Sequence, residues 1–225
     1  MRYVVFALLA CVGLPIPRPA WATTIFSSFG PGESYSQSHY IPVNFYTSPE
    51  VIGTSLAFAF DVSSGSDYVL SEVRVAASWA GTSKNAHFAI FSDSAGLPGA
   101  NPALLLSENP QALSTEASVV SLPAPARLEL LAGGRYWFVV EPASLDSTSP
   151  ADDFVLLWQN LEASVLQTSR VSFDSGPWGD WYASPFAGAP PAFSIEAAVI
   201  PEPQTLTLMA LGLAVLGRGR GRVRS

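Results

Sequence analysis

Side chains that can act as a general base near neutral pH are scarce in this sequence, which contains only His39 and His87. Serine-type catalysis needs such a base beside its nucleophile. His87 shares an alternating apolar pattern with Phe91, so we expect a structural histidine on a strand. His39 lies in a polar and aromatic stretch with Tyr35 and Tyr40. Because no serine-hydrolase, zinc-protease or phosphate-loop motif accompanies these residues, the sequence predicts no catalytic residue and no enzyme.

Carboxylates are the second group of side chains that could do chemistry, since the chain has eighteen aspartates and glutamates. Glycosidases place two carboxylates across a cleft, but so many acids form pairs by coincidence. Carboxylate oxygens in loops also suit calcium. We expect solvated loop acids and no cofactor, with structural calcium as the alternative. The candidate calcium ligands are Asp152, Asp153, Asp174 and Asp180. Asp152, Asp174 and Asp180 are also the candidate carboxylates of a glycan hydrolase.

An aromatic cluster lies in the long segment between two predicted strands, formed by Trp178, Trp181 and Tyr182 around Asp180. Exposed rings stack on sugars, so the cluster is a candidate for glycan contact. The alternative, which we favour, is that the tryptophans fold back and cap the core. The remaining strand tryptophans are expected in the core, namely Trp79, Trp137 and Trp158.

Charge is unevenly distributed along the chain. The segment 23–203 has five basic against eighteen acidic residues, a formal charge of −13. A segment with this negative charge repels phosphate backbones, so nucleic-acid binding is not expected. The only cysteine, Cys11, lies in the first hydrophobic run, so the segment after it has no disulfide and too few His or Cys side chains for zinc.

The elements between residues 23 and 198 are short and read as strands, because β-branched and aromatic runs alternate with Pro and Gly turns. Val69–Ala77 alternates with Val69 and Val73 on one face, and Asp93–Gly99 reads as a turn-rich connection. Arg135–Glu141 is apolar on both faces, which predicts a central strand. We therefore expect an all-β, antiparallel β-sandwich or jelly roll of roughly ten strands over 23–198.

The first 22 residues have the order of a secretory signal peptide. Arg2 precedes twelve apolar residues, and small residues at Ala20 and Ala22 fit signal peptidase, so cleavage is predicted after Ala22. A lipid-attachment site at Cys11 is a weaker alternative, because the apolar run before it is short.

The C-terminal segment 199–225 combines a short motif, an apolar run of eleven residues at 206–216 and a basic end. As a helix the run is about 16 Å long, about half the hydrocarbon core of a bilayer. The motif is Pro201-Glu202-Pro203, and the basic end contains Arg218, Arg220, Arg222 and Arg224. These arginines are expected to stay cytoplasmic.

This three-part end resembles the PEP-CTERM sorting signal of Gram-negative bacteria. The resemblance implies transient anchoring in the inner membrane, recognition by an exosortase, and removal of the tail near the motif. The protein then reaches the cell surface or the extracellular polysaccharide matrix. An ordinary tail anchor is the alternative.

The central segment resembles the choice-of-anchor type R domain of exported bacterial proteins. The resemblance implies anchoring and no assigned chemistry. It rests on blocks in the expected order at Phe29–Tyr35, Leu56–Phe60, Ile90–Gly99, Leu131–Val140 and Pro191–Ile195.

These observations together predict a non-enzymatic surface or matrix protein with a structural or adhesive role. The expected partners are signal peptidase and exosortase during export. A module that binds exopolysaccharide is the second hypothesis, and a glycan hydrolase is the third.

Overall fold

A computed structural model describes residues 22–47, 51–80, 86–108, 113–142, 154–160, 169–174, 181–183 and 190–200. The described part is all-β, as predicted, with one short 3₁₀ turn at Pro31–Glu33 and every named strand pair antiparallel. It contains more strands than the ten or so expected: β1 (Thr23–Ser27), β2 (Tyr40–Thr47), β3 (Val51–Asp61), β4 (Tyr68–Ala80), β5 (Ala86–Ser94), β6 (Leu97–Pro98), β7 (Leu104–Glu108), β8 (Ser118–Pro123), β9 (Glu129–Leu130), β10 (Arg135–Pro142), β11 (Phe154–Trp158), β12 (Ser169–Asp174), β13 (Trp181–Ala183) and β14 (Phe193–Val199).

The strands form two groups, each organised around a long strand. In the first group β4 has β14 and β11 on one side and β8 and β9 on the other, and β14 also pairs with β1. In the second group β10 lies between β3 and β5. Strand β12 pairs with β3 and with β13, while β7 and β6 pair with β5.

Strand β2 belongs to both groups and joins them into one curled sheet. Its first half, Tyr40–Asn44, pairs with β11, whereas Phe45–Thr47 pairs with β3. Pro42 lies within the first half and has no N–H for a ladder bond. Proline is tolerated in sheets at edge positions, and on this half β11 is the named partner.

The main core lies between the inward faces of the two groups. Phe193 of β14 shows the contact most clearly, since its ring centroid lies 5.1 Å from that of Phe138 and 6.4 Å from that of Phe58. Both partners belong to the second group. The buried residues around them include Leu56, Phe60, Val73, Val75, Phe88, Ile90, Val140, Val155, Leu157 and Ile195.

A second buried cluster covers the opposite face of β3, β10 and β5. Trp137 is its largest member and packs with Phe91 and Val139, alongside small residues at Ala57, Ala59 and Ala89. Strand β10 is therefore buried on both faces, which confirms that it is a central strand. Trp137 lies in this cluster and not in the main core, and its indole nitrogen donates a hydrogen bond to Asp93 Oδ1 at 2.8 Å.

The prediction that Val69 lies on the same face as Val73 is wrong, and a β-bulge explains why. Along β4 the partners of Glu72 and Leu70 are consecutive residues of β14, so Ser71 is an extra residue. An extra residue reverses which side chains point inward. Leu70 is therefore buried in the core beside Val73, while Val69 is only half-buried.

The connection predicted at Asp93–Gly99 is a β-hairpin. Ser94 pairs with Leu97, which leaves Ala95 and Gly96 as a two-residue loop. Both residues have positive φ, +54° and +82°, as a type I′ turn requires. Asp93 Oδ2 accepts the Gly96 N–H at 3.0 Å and so holds the loop.

Candidate functional site

An aromatic pair at the surface, the exposed Tyr40 and the half-buried Trp158, is the clearest candidate binding feature of the described residues. The two residues are direct partners where β2 meets β11. Their ring centroids lie 5.3 Å apart and their planes make an angle of 67°. Their neighbours Ile41 and Leu157 are buried in the core, so alternation puts both rings on the outer face of the sheet. Tyr40 is 47% exposed.

Trp158 is fixed in place by Ser78 of β4. Its indole Nε1 donates a hydrogen bond to Ser78 Oγ at 3.0 Å. Ser78 is fully buried even though it alternates with the core residues Ala77 and Trp79, so this part of the outer face is covered. The prediction that Trp158 belongs to the core is therefore wrong, because it is a half-buried residue of the outer face. Trp79 is in the core as predicted.

A cluster of uncharged polar side chains precedes Tyr40 along the chain. Ser36 Oγ and Ser38 Oγ lie 3.2 and 3.0 Å from His39 Nδ1. Two backbone hydrogen bonds attach this loop to the end of β11, from Ser36 N to Gln159 O at 2.8 Å and from Gln159 N to His39 O at 3.0 Å. The aromatic pair and the polar cluster are thus held together by the same strand end. We call Ser36, Ser38, His39, Tyr40 and Trp158 the aromatic corner.

Sequence reasoning placed His39 and Tyr40 in a polar and aromatic loop but did not connect them with Trp158. Tyr40 instead begins strand β2 and pairs with the last residue of β11. Trp158 ends an apolar run that also contains Val155 and Leu157, so its pattern resembled that of a core residue. The alternation along Val155–Trp158 is the signal that places it on the outer face.

The aromatic cluster predicted from sequence is only partly within the described residues. Trp181 and Tyr182 belong to β13, opposite Ser172 and Val171 of β12, so the long loop expected there contains a strand. Asp174 is the last residue of β12 and lies opposite Gly53, where a loop position was expected. The other predicted site residues lie outside the described residues: Ala20, Asp152, Asp153, Trp178, Asp180, Pro201, Glu202, Pro203, Arg218, Arg220, Arg222 and Arg224.

His87 and Glu141 form a mostly buried pair on the outer face of the second group. They are direct partners between β5 and β10, and His87 Nδ1 lies 3.4 Å from Glu141 Oε1. His87 lies in the row that contains the buried residues Ala89 and Phe91, as predicted. Since Glu141 is 1% exposed, a substrate does not reach this carboxylate, and the arrangement favours a structural role.

The environment of Glu141 opposes its ionisation. Burial raises the pKa of Glu141 above its ordinary value, and the hydrogen bond and charge of His87 act in the opposite direction. Among the described residues, Glu141 Oε2 has no hydrogen-bond partner. Ionising this group therefore leaves a buried oxygen without compensation.

Three exposed carboxylates of the described residues are instead paired with arginines. Arg135 donates to both carboxylate oxygens of Asp61 at 2.7 and 3.0 Å, and these hydrogen bonds lower the pKa of Asp61. Glu33 pairs with Arg74, and Glu129 with Arg127. Within the described ranges, no three His, Cys, Asp or Glu side chains gather as metal ligands.

The described residues also contain no helix with the length and apolar character needed to cross a membrane. No protein-family model matches the chain, and neither a curated protein nor a solved structure matches it. The resemblances to the PEP-CTERM signal and the choice-of-anchor domain therefore stay predictions.

Proposed function

We propose that this chain is an exported bacterial protein with a β-sandwich body of the jelly-roll kind, sorted by an exosortase to the cell surface or extracellular matrix, where it has a structural or adhesive role. The observation that carries this proposal is the pairing of the first and last described strands. Thr23, at the start of β1, lies opposite Ala197 of β14. The two ends of the described part therefore lie side by side in the sheet, next to the predicted signal segments.

The first and last described strands lie close in sequence to the predicted processing sites. Ala22, where signal peptidase is expected to cut, is exposed and precedes the first paired residue. At the other end, Ile200 N donates to Asp67 O at 2.8 Å, and Pro201, which has no N–H, begins the sorting motif. Removal of either segment therefore leaves the named strand pairs intact.

Charge distribution supports the same proposal. The segment 23–203 has a formal charge of −13, whereas the basic residues at the extreme C-terminus follow the apolar run. This is the arrangement in which the tail stays cytoplasmic while the body is translocated. An acidic body also favours solubility outside the cell and disfavours nucleic acid.

The test is the intact mass of the protein recovered from surface, medium and membrane fractions of its native host. We expect a species that begins at Thr23 and ends near Pro203. A chain with alanine at Pro201, Glu202 and Pro203 should keep its arginine tail and stay with the membrane. Gln204→Ala, next to the motif, is the matched control and should be processed. A wild-type protein that retains the tail would overturn the sorting part of the proposal.

Binding of exopolysaccharide is the second candidate function, and the exposed ring of Tyr40 beside Trp158 supports it. The sequence suggests Trp178, Trp181 and Tyr182 for that role, whereas the aromatic corner is a separate location in the fold. Glycan hydrolysis stays the third hypothesis, and two of its three candidate carboxylates, Asp152 and Asp180, lie outside the described residues.

A further inference from the structure

We propose that the aromatic corner binds a neutral polysaccharide. This inference goes beyond the sorting function and does not depend on it, since binding is measured on the purified protein. It concerns a different location from Trp178, Trp181 and Tyr182. Three features of the protein favour this ligand: the geometry of the two rings, their polar neighbours and the negative charge of the segment 23–203.

The rings form a corner suited to a pyranose. The axial C–H groups of a sugar make one face apolar, and that face packs on an aromatic ring. Tyr40 is 47% exposed and Trp158 is half-buried, and the two rings make an edge-on contact at 67°, so the sugar is expected to stack on Tyr40 while Trp158 supports that ring. The hydrogen bond from Trp158 to Ser78 fixes the indole before the ligand arrives. Such preorganisation reduces the entropy lost on binding.

The polar neighbours supply hydrogen bonds to sugar hydroxyls. The hydroxyls of Ser36 and Ser38 both lie within hydrogen-bond distance of His39 Nδ1. This arrangement fixes the exposed imidazole and leaves Nε2 as the nitrogen that can reach a ligand. A few placed polar groups beside an apolar wall are typical of small-molecule sites.

Charge selects the class of polysaccharide. The aromatic corner contains no carboxylate, lysine or arginine, and the body around it has a formal charge of −13. This charge repels polyanions such as alginate, and the repulsion weakens with added salt. A neutral polysaccharide is not repelled by this charge, so the expected ligand is neutral.

Affinity electrophoresis of the protein recovered from its host tests the proposal. Native gels contain laminarin, hydroxyethylcellulose, xylan, galactomannan or, for comparison, alginate. We expect retardation by at least one of the four neutral polymers and none by alginate. Tyr40→Ala should weaken that binding at least tenfold, and His39→Ala should weaken it severalfold. Leu131→Ala is the control, because Leu131 is a 56% exposed apolar residue outside the corner.

Two outcomes overturn the proposal. One is the absence of retardation by every neutral polymer. The other is retardation that Tyr40→Ala leaves unchanged, and in that case Trp181→Ala shows whether the β13 region binds instead. Circular dichroism of each variant verifies that the fold is intact. Tyr40→Phe keeps the aromatic ring and should retain binding, which separates the loss of the ring from a loss of folding in Tyr40→Ala. Neither outcome bears on the tail cleavage, which is read from the mass.

Discussion

Glu141 and His87 face each other across β10 and β5, with 3.4 Å between Oε1 and Nδ1, while the second carboxylate oxygen is buried without a partner among the described residues. Burial raises the pKa of Glu141. When the folded-state pKa of an acid is raised, the protonated form stabilises the fold. That stabilisation is complete below the unfolded pKa and is lost as pH rises through the folded one.

The first prediction concerns Glu141→Gln. From about pH 4.5 upward, the Glu141 carboxyl loses its proton in the unfolded wild-type chain before it does so in the folded chain. The free energy of unfolding of the wild type therefore falls relative to that of the variant. Glutamine keeps the shape and does not titrate. The variant should therefore match the wild type near pH 4 and exceed it at higher pH, by about 1.4 kcal/mol for each unit by which the pKa is raised.

Urea unfolding at several pH values measures this difference. Glu129→Gln is the control, because Glu129 is half exposed and its removal should give no comparable pH trend. A Glu141→Gln variant that is less stable than the wild type at pH 7 would contradict the argument. It would show that the contact with His87 outweighs the cost of burial.

The second prediction concerns Ala95 in the hairpin between β5 and β6. Its φ is +54°, a region that side chains with a Cβ occupy at a cost, and asparagine tolerates it better than alanine. Ala95→Asn should raise the free energy of unfolding by about 0.5 to 1 kcal/mol. Ala100→Asn is the matched control, since Ala100 is exposed and its φ is not positive. Equal effects of the two changes on the melting temperature would count against the turn assignment.

The third prediction concerns Ser28, the buried residue that follows β1. Its hydroxyl donates to Pro191 O at 2.6 Å and accepts the Phe193 N–H at 3.0 Å. Ser28→Ala leaves both backbone groups without this partner in a buried place, which should cost about 1 to 3 kcal/mol. Ser121→Ala, at an exposed position of β8, should change stability by less than about 0.5 kcal/mol. A Ser28→Ala protein that unfolds at the wild-type urea midpoint would refute the role of this hydroxyl.

The strands with the strongest apolar patterns were predictable from sequence. Arg135–Glu141 is apolar on both faces because it lies between β3 and β5 and is covered on each side. The strand is buried on both faces, as its apolar composition predicts, so the composition alone identifies it as a central strand. Strand β1 is not predictable in this way, because its residues are mostly exposed and Thr23–Ser27 shows no clean alternation. Strand β2 is not predictable either, because Pro42 interrupts its pattern.

Register could not be read from the sequence. The bulge at Ser71 reverses the inward face of β4 without any glycine or proline to mark it. The aromatic corner depends on the pairing of Tyr40 with Trp158, which are distant in sequence and close only after β2 meets β11. Periodicity describes a strand by itself, whereas a site of this kind is created by which strand lies beside it.

The position of β14 has a mechanical consequence for the proposed form of the protein in which the C-terminal segment is anchored in a membrane. It is bonded along both edges, to β1 and to β4, and the chain leaves it at Val199. A pull on the tail therefore acts along the strand and loads both ladders in shear, so that many hydrogen bonds resist at once. A strand at the rim would instead peel away one bond at a time. The proposed tether would therefore be attached to a strand that is bonded on both sides.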